Sequence, residues 1–161
     1  MISTIYRISP EQFLANLSGR GGSYQDGARW NPVGYPVIYM AFSASTAMLE
    51  MANYVPHPSL VPKDYKIGEY EIPTDLIDIF DQSKLPEEWA DFPHSSITQE
   101  IGKEWLDSGS NLALKLPSCC VPNGLDCIML INANHPQIDK IKLISTTDMR
   151  YNERTFSGMD S

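Results

Sequence analysis

Cysteine is scarce. The three in 161 residues are Cys119, Cys120 and Cys127, an odd set with two adjacent, which is no disulfide framework. With neither a second Cys pair nor a His-x3-His partner, the spacing does not suggest zinc. The expectation is small buried hydrophobes on or near strands and no metal requirement. Positive charge is also scarce: 12 Lys and Arg stand against 20 Asp and Glu, a net of -8, with a pI near 4.7. Such a chain lacks the cation excess that neutralises extended polyanions, which argues against direct nucleic-acid binding and against anionic membranes. A local basic pocket for a small anion remains compatible with it. No run approaches 18 apolar residues, and Met1 to Arg7 show no basic stretch followed by an apolar one. A cytoplasmic chain without a membrane span is therefore expected. Repeats, a G-x-G-x-x-G after a strand and a phosphate-loop motif are all missing; Gly19-Arg20-Gly21-Gly22 is only a partial phosphate-loop pattern.

What the chain does contain is 42% hydrophobic residues, enough for a core in one domain. The expected domain runs over 1–161, with a polar tail from about Thr147 that is docked or partly flexible. Short strands are expected at 3–8, 37–42, 65–72, 76–80, 112–116, 127–131 and 141–144. Ser9-Pro10-Glu11-Gln12 has a capping-box pattern and predicts a helix to about Leu17. Ser43 and Ser45 offer caps for a helix through about Tyr54, stopped by Pro56 and Pro58. One helical turn is expected at 86–89. A helix from Ser96 to about Leu106, before Gly109, would bury Ile97, Ile101 and Trp105. Residues 18–36 hold five glycines and two prolines with Arg, Trp and Tyr, the composition of a binding loop. Helices and strands mix without regular alternation, so the fold class is α+β, not doubly wound.

Four features carry chemistry: Arg7 at the end of the first strand, Arg29-Trp30-Asn31 in the glycine-rich loop, Tyr39 inside an apolar strand, and Glu50 inside Ala47-Met48-Leu49-Glu50-Met51-Ala52. Burying a carboxylate is costly unless it is paired or lines a cleft. Plainer readings stand beside these: Arg7 as a surface cation, Tyr39 as a core aromatic with a satisfied hydroxyl, and Glu50 on the solvent face of its helix. His57, His94 and His135 are scattered and read as surface or structural residues.

The run Gly27-Ala28-Arg29-Trp30-Asn31-Pro32-x-Gly34-x-Pro36-Val37-Ile38-Tyr39-Met40-Ala41, followed by Ala47-Met48-Leu49-Glu50, resembles the RES domain. Tyr6-Arg7, Leu85-Pro86-x-x-Trp89, Gly102-x-x-Trp105-Leu106, Leu116-Pro117-Ser118 and Asn134-His135-Pro136 follow the family's order over nearly the whole chain. Departures are Gly124-Leu125-Asp126, Asn132-Ala133-Asn134 and the Cys119-Cys120 pair. The resemblance implies an ADP-ribosyltransferase-like core of short mixed sheets with flanking helices. It also implies a bacterial toxin that cleaves the nicotinamide–ribose bond of its substrate NAD+, by hydrolysis or phosphorolysis, and so depletes NAD and arrests growth. ADP-ribosylation of a protein, or non-catalytic binding of NAD or a partner, are the alternatives. The implied partner is an Xre-type helix-turn-helix antitoxin, in a hetero-oligomer or beside a homodimer. On this resemblance Glu50, Arg29, Tyr39 and Ser118 are the expected catalytic residues. Arg7, Arg29, Trp30, Asn31, Tyr39 and Ser118 are expected to contact NAD+.

Overall fold

A computed structural model describes residues 1–55 and 57–160. Its framework is a seven-stranded sheet: β1 (Ile2–Pro10), β2 (Val37–Ala41), β3 (Tyr65–Pro73), β4 (Ile77–Ile79), β5 (Ala113–Pro117), β6 (Cys127–Asn132) and β7 (Lys142–Asp148), in the order β4-β5-β6-β2-β1-β3-β7. Every neighbouring pair is antiparallel except β4 with β5. The α+β class is as expected, but the strands join one continuous sheet.

Side chains alternate across the pleat and so build a core on each face. On β6, Met129 and Ile131 join Ile5, Ile38, Met40, Tyr70, Ile72 and Ile141. Ile128 and Leu130 join Trp30, Val37, Leu106, Leu114 and Leu116 on the other side. All six residues of β6 are buried, which explains why it reads as a continuous apolar run.

The sheet is pinched at its middle. β1 pairs with β3 through nine residue pairs, but with β2 only at Tyr6 and Ala41. Beyond that point the two strands part, and the Val37 N–H turns instead to the carbonyl of Gly19. Gly19 has φ +70°, and a Cβ there would lie 2.5 Å from Ala133 Cβ and 2.7 Å from Val37 N. Only glycine lets the loop approach this closely.

Among the described residues three α-helices accompany the sheet: α1 (Gly22–Asp26), α2 (Ala44–Ala52) and α3 (Ser96–Ser108). Ser43 caps α2 by accepting the Thr46 N–H at 3.0 Å, as its sequence suggests. Pro56, expected to help stop that helix, lies outside the described residues. The expected helix from Pro10 to Leu17 does not form. β1 continues to Pro10, and only a 3-10 turn at Glu11–Phe13 follows. Side chains from β1 and β3 reach the carbonyls of this segment: Arg7 Nη1 donates to Phe13 O and Asn16 O, and the Tyr70 hydroxyl donates to Leu14 O at 2.6 Å. At 86–89, as expected, the chain makes one turn, closed by Trp89 N–H to Pro86 O. β7 extends through Asp148, so the segment from Thr147 is part strand. Beyond it Phe156 is buried, and the Tyr151 hydroxyl donates to Met48 O.

α3 ends at Gly109 in the left-handed conformation, as its sequence suggests. Its buried face is not the predicted one, however. Thr98, Gly102 and Leu106 point inward, Ile101 and Trp105 pack at the margin, and Ile97 is exposed. The reason is Gly102: a Cβ there would fall 1.6 Å from the Trp30 carbonyl oxygen. The helix backbone rests directly on the loop that carries Trp30. Gly102→Ala should therefore cost about 3 kcal/mol despite its better helix propensity. Denaturant unfolding checks this, and a variant as stable as the parent would show that the contact yields cheaply.

Candidate active site

Glu50 sits half-buried on the last turn of α2, and one of its oxygens, Oε1, accepts the Ser118 hydroxyl at 2.7 Å. Ser118 follows β5 and is fully buried. Its own Oγ accepts the Cys120 N–H at 3.1 Å. The hydroxyl thus orients the carboxylate, and the side chain expected to contact NAD+ has no exposed surface in this geometry.

One residue absent from the expected set ties these elements together. Asp126, just before β6, accepts the Ser43 hydroxyl at 2.8 Å and the Thr46 hydroxyl on one carboxylate oxygen. The other oxygen accepts the Cys127 N–H, and the Asp126 carbonyl accepts the Ser118 N–H. Asp126 thus locks the start of α2 and the Ser118 turn to the same strand. Burial raises its carboxyl's pKa, but the bonds from Thr46, Ser43 and the Cys127 amide outweigh burial and hold it below the ordinary value. Nothing local in the sequence signals this role.

Tyr39 lies on the same face as Trp30. Its hydroxyl donates to Asn31 Oδ1 at 2.6 Å and accepts the Trp30 N–H at 3.2 Å. Burial pushes its phenol strongly upward, with Arg29 and Glu50 among the charges near enough to act on it. The hydroxyl is thus a neutral structural group, and only the ring remains for a ligand. Trp30 and Asn31, expected to touch a ligand, are 1% and 0% exposed. Trp30 packs edge-on to Phe80 and tilted against Trp89, while Asn31 Nδ2 donates to Ser23 O and Pro32 O. Both hold the loop in shape and present no surface for binding.

Arg29 Nη1 donates to Trp89 O at 2.7 Å and Asp91 O at 3.0 Å, stapling the loop to the segment before α3. The guanidinium also acts on the Cys119 thiol, against burial and the Glu50 carboxylate, which raise that thiol's pKa. Burial and Glu50 likewise push the Cys120 thiol up to about 12. Cys127 is buried on a strand as expected, but Cys119 and Cys120 are half-exposed beside Glu50. Ligand atoms of Glu50, Cys119 and Cys120 all lie within 4.8 Å of one another. The adjacent cysteines thus form, with Glu50, a ligand group that spacing did not reveal.

Arg7 lines a cleft of about 570 Å³ where β1 and β2 separate, and Glu50 is not among its lining residues. Arg7, Arg20, Gly21, Gly22 and Ser23 line it, and Tyr39 belongs to both regions. The glycine-arginine loop, a partial motif in sequence, forms one wall. Arg20 stacks over Tyr24 with its carbon 5.2 Å from the ring centroid. The expected residues thus separate into a carboxylate end with Glu50, Ser118, Arg29 and the Tyr39 ring, and a basic cleft with Arg7.

Fold and site together describe a mixed, mostly antiparallel sheet split at its middle, with one oriented carboxylate and a basic cleft. A family model of the RES domain matches residues 4–152, and the chain belongs to that family. Toxin Res of Photorhabdus laumondii is 33% identical over 118 residues, covering 73% of this chain and 75% of that one. Toxin Res of Pseudomonas putida is 34% identical over 155 residues, 94% of this chain and 99% of that one. A Sphingobium protein named Prs ADP-ribosylating toxin is 30% identical over 142 residues, 86% of each chain. Among solved structures, the Mycobacterium tuberculosis MbcT–MbcA toxin–antitoxin complex contains a similar fold, with a TM-score of 0.73 and 21% identity over 93% of this chain and 85% of that one. Among the described residues no helix is long and apolar enough to cross a membrane.

Asp126 generates a pH-dependent expectation. A carboxyl held below its unfolded value stabilises the fold above that value, and the contribution fades as pH falls through the folded one. Asp126→Asn should cost about 1–2 kcal/mol near neutrality, after allowance for solvent screening. The difference from the parent should close below the ordinary carboxyl value of 3.8. Urea unfolding over a pH series reads it, and a gap that persists unchanged below that value would contradict the assignment.

Proposed function

We propose that this chain is the toxin of a toxin–antitoxin module and that it cleaves the nicotinamide–ribose bond of NAD+. The observation that carries the reading is the half-buried Glu50 carboxylate, oriented by Ser118 and placed beside the Tyr39 ring and Arg29. The names of the Photorhabdus and Pseudomonas relatives support the toxin role. In this reading the RES domain takes in the whole chain, including the tail anchored by Tyr151 and Phe156.

The chemistry suits these residues. Breaking the bond between nicotinamide and ribose develops oxocarbenium character at the ribose carbon. A fixed carboxylate near that carbon stabilises the charge, and more strongly where water is scarce. Nicotinamide leaves as a neutral molecule from a cationic one, so no strong general acid is required and one carboxylate suffices. The Tyr39 ring offers a face for nicotinamide. Arg7 and Arg20 line a cleft that suits the pyrophosphate, since a guanidinium matches phosphate oxygens through its planar fork. Arg29, between the loop and the carboxylate, is the remaining contact for the dinucleotide.

A second reading, transfer of ADP-ribose to a protein, draws on the name of the Sphingobium relative. The antitoxin is proposed as a small Xre-type helix-turn-helix protein. It would bring the DNA contacts that an acidic chain with a net of -8 cannot easily make.

Purified protein incubated with labelled NAD+ separates the readings. Free nicotinamide with free ADP-ribose marks hydrolysis, acceleration by phosphate marks phosphorolysis, and label retained on protein marks transfer. Glu50→Gln should lower nicotinamide release by about 100-fold or more with the fold intact. Turnover at the parent rate would remove Glu50 from the chemistry. Arg29→Ala should weaken NAD+ binding by roughly tenfold, the worth of one charge-assisted contact. An unchanged dissociation constant would limit Arg29 to stapling the loop.

A further inference from the structure

Cys119 and Cys120 take no part in the proposed reaction, yet they stand at its carboxylate. Their sulfurs and a Glu50 oxygen fall within 4.8 Å of one another. The three side chains are half-buried, so the group is open to solvent on one side. The Cys120 sulfur is already oriented, with Asn53 Nδ2 donating to it at 2.9 Å. The Ser118 hydroxyl holds Glu50 Oε1, while Oε2 accepts no hydrogen bond among the described residues. Two sulfurs and a carboxylate oxygen make a donor set for a thiophilic divalent cation, with water as the fourth ligand of a tetrahedron. Zinc bonds of about 2.3 Å to sulfur and 2.0–2.2 Å to oxygen place such donors roughly 3.5–3.8 Å apart. Side-chain rotations of about an ångström reach that from the observed spacing. Two thiolates and a carboxylate around a dication leave a single negative charge, and the Arg29 guanidinium stands beside Cys119 to offset it.

We propose that Cys119, Cys120 and Glu50 form an inhibitory site for a thiophilic divalent cation such as Zn2+. Each thiol releases its proton to solvent as its sulfur–metal bond forms, and no electron is transferred. The bound ion occupies the Glu50 carboxylate, so a metal-loaded chain has no group free to stabilise an oxocarbenium ion. The binding half depends only on the donor geometry. The inhibitory half rests on the role proposed above for Glu50.

The metal itself is the probe. Titrating the whole chain with Cd2+ should raise a thiolate-to-metal charge-transfer band in the near ultraviolet that saturates at one ion per chain. A chain first loaded with Zn2+ should give the same band as Cd2+ displaces the smaller ion. The Cys119→Ser/Cys120→Ser double variant should lack the band and bind Zn2+ at least about tenfold more weakly, and Glu50→Gln should weaken binding by a similar factor. Nicotinamide release by the parent should stop at stoichiometric Zn2+ and return on chelation. The double variant should turn over at the parent's metal-free rate and ignore the ion. Equal Zn2+ binding by parent and double variant would overturn the site. A parent that binds Zn2+ through both cysteines and keeps its turnover would overturn the inhibition. If no protein releases nicotinamide even without metal, the proposed reaction fails, and the charge-transfer titration alone still decides whether the site exists.

Discussion

The arrangement depends on how little β1 and β2 hold each other. They are neighbours in one sheet, yet they pair only at Tyr6 and Ala41. Two strands left apart inside a sheet must satisfy their inner polar groups in some other way. Here the loop that follows β1 supplies the partners: Gly19 takes the Val37 amide, and Arg7 takes the carbonyls of Phe13 and Asn16. The separation makes the cleft, and the same contacts that repair it carry its basic lining. Full pairing of the two strands would close the gap between them and remove the cleft.

The carboxylate end rests on a second constraint, the need to fix an acid at a half-buried place. Glu50 would be loosely held on a helix only nine residues long. Ser118 holds its oxygen from one side, and Asp126 fixes both Ser118 and the start of the helix from below. The carboxylate is thereby set by groups from three elements far apart in the chain. Its charge then shapes its surroundings, raising the thiols of Cys119 and Cys120 together with burial. An environment that keeps thiols protonated protects them from incidental oxidation, since the thiolate is the reactive form.

Most strands were legible because short β-branched and apolar runs, alternating in β3 and continuous in β2 and β6, are too short for buried helices. The cap at Ser43 and the stop at Gly109 were legible for a similar reason, since each is a local backbone requirement. The helix expected over 10–17 failed because strand pairing holds its start: Pro10 still pairs with Tyr65, and the Glu11 N–H donates to Asp64 O. The buried face of α3 was misread because a glycine scores as a gap in an apolar stripe, whereas Gly102 is the point of closest approach. Glu50 stood out as an acid in an apolar stretch. Trp30 and Asn31 stood out equally, but from a loop composition that does not separate lining from support.

The sequence by itself determined the α+β class, the acidic surface charge, the strand-forming segments and the presence of one unusual acid on a short helix. These follow from composition and local periodicity, which act over a few residues. Tertiary structure decided which of the marked residues line a cleft and which are buried as supports. Glu50 and Ser118 are 68 positions apart, and Thr46 and Asp126 are 80. Their meeting depends on strand order and register, and those are set by burying both faces of one sheet at once. The same packing turned Asn31, Trp30 and the Tyr39 hydroxyl inward as supports, left Arg7 and Tyr39 lining the cleft, and held the Glu50 carboxylate half-buried on the last turn of α2.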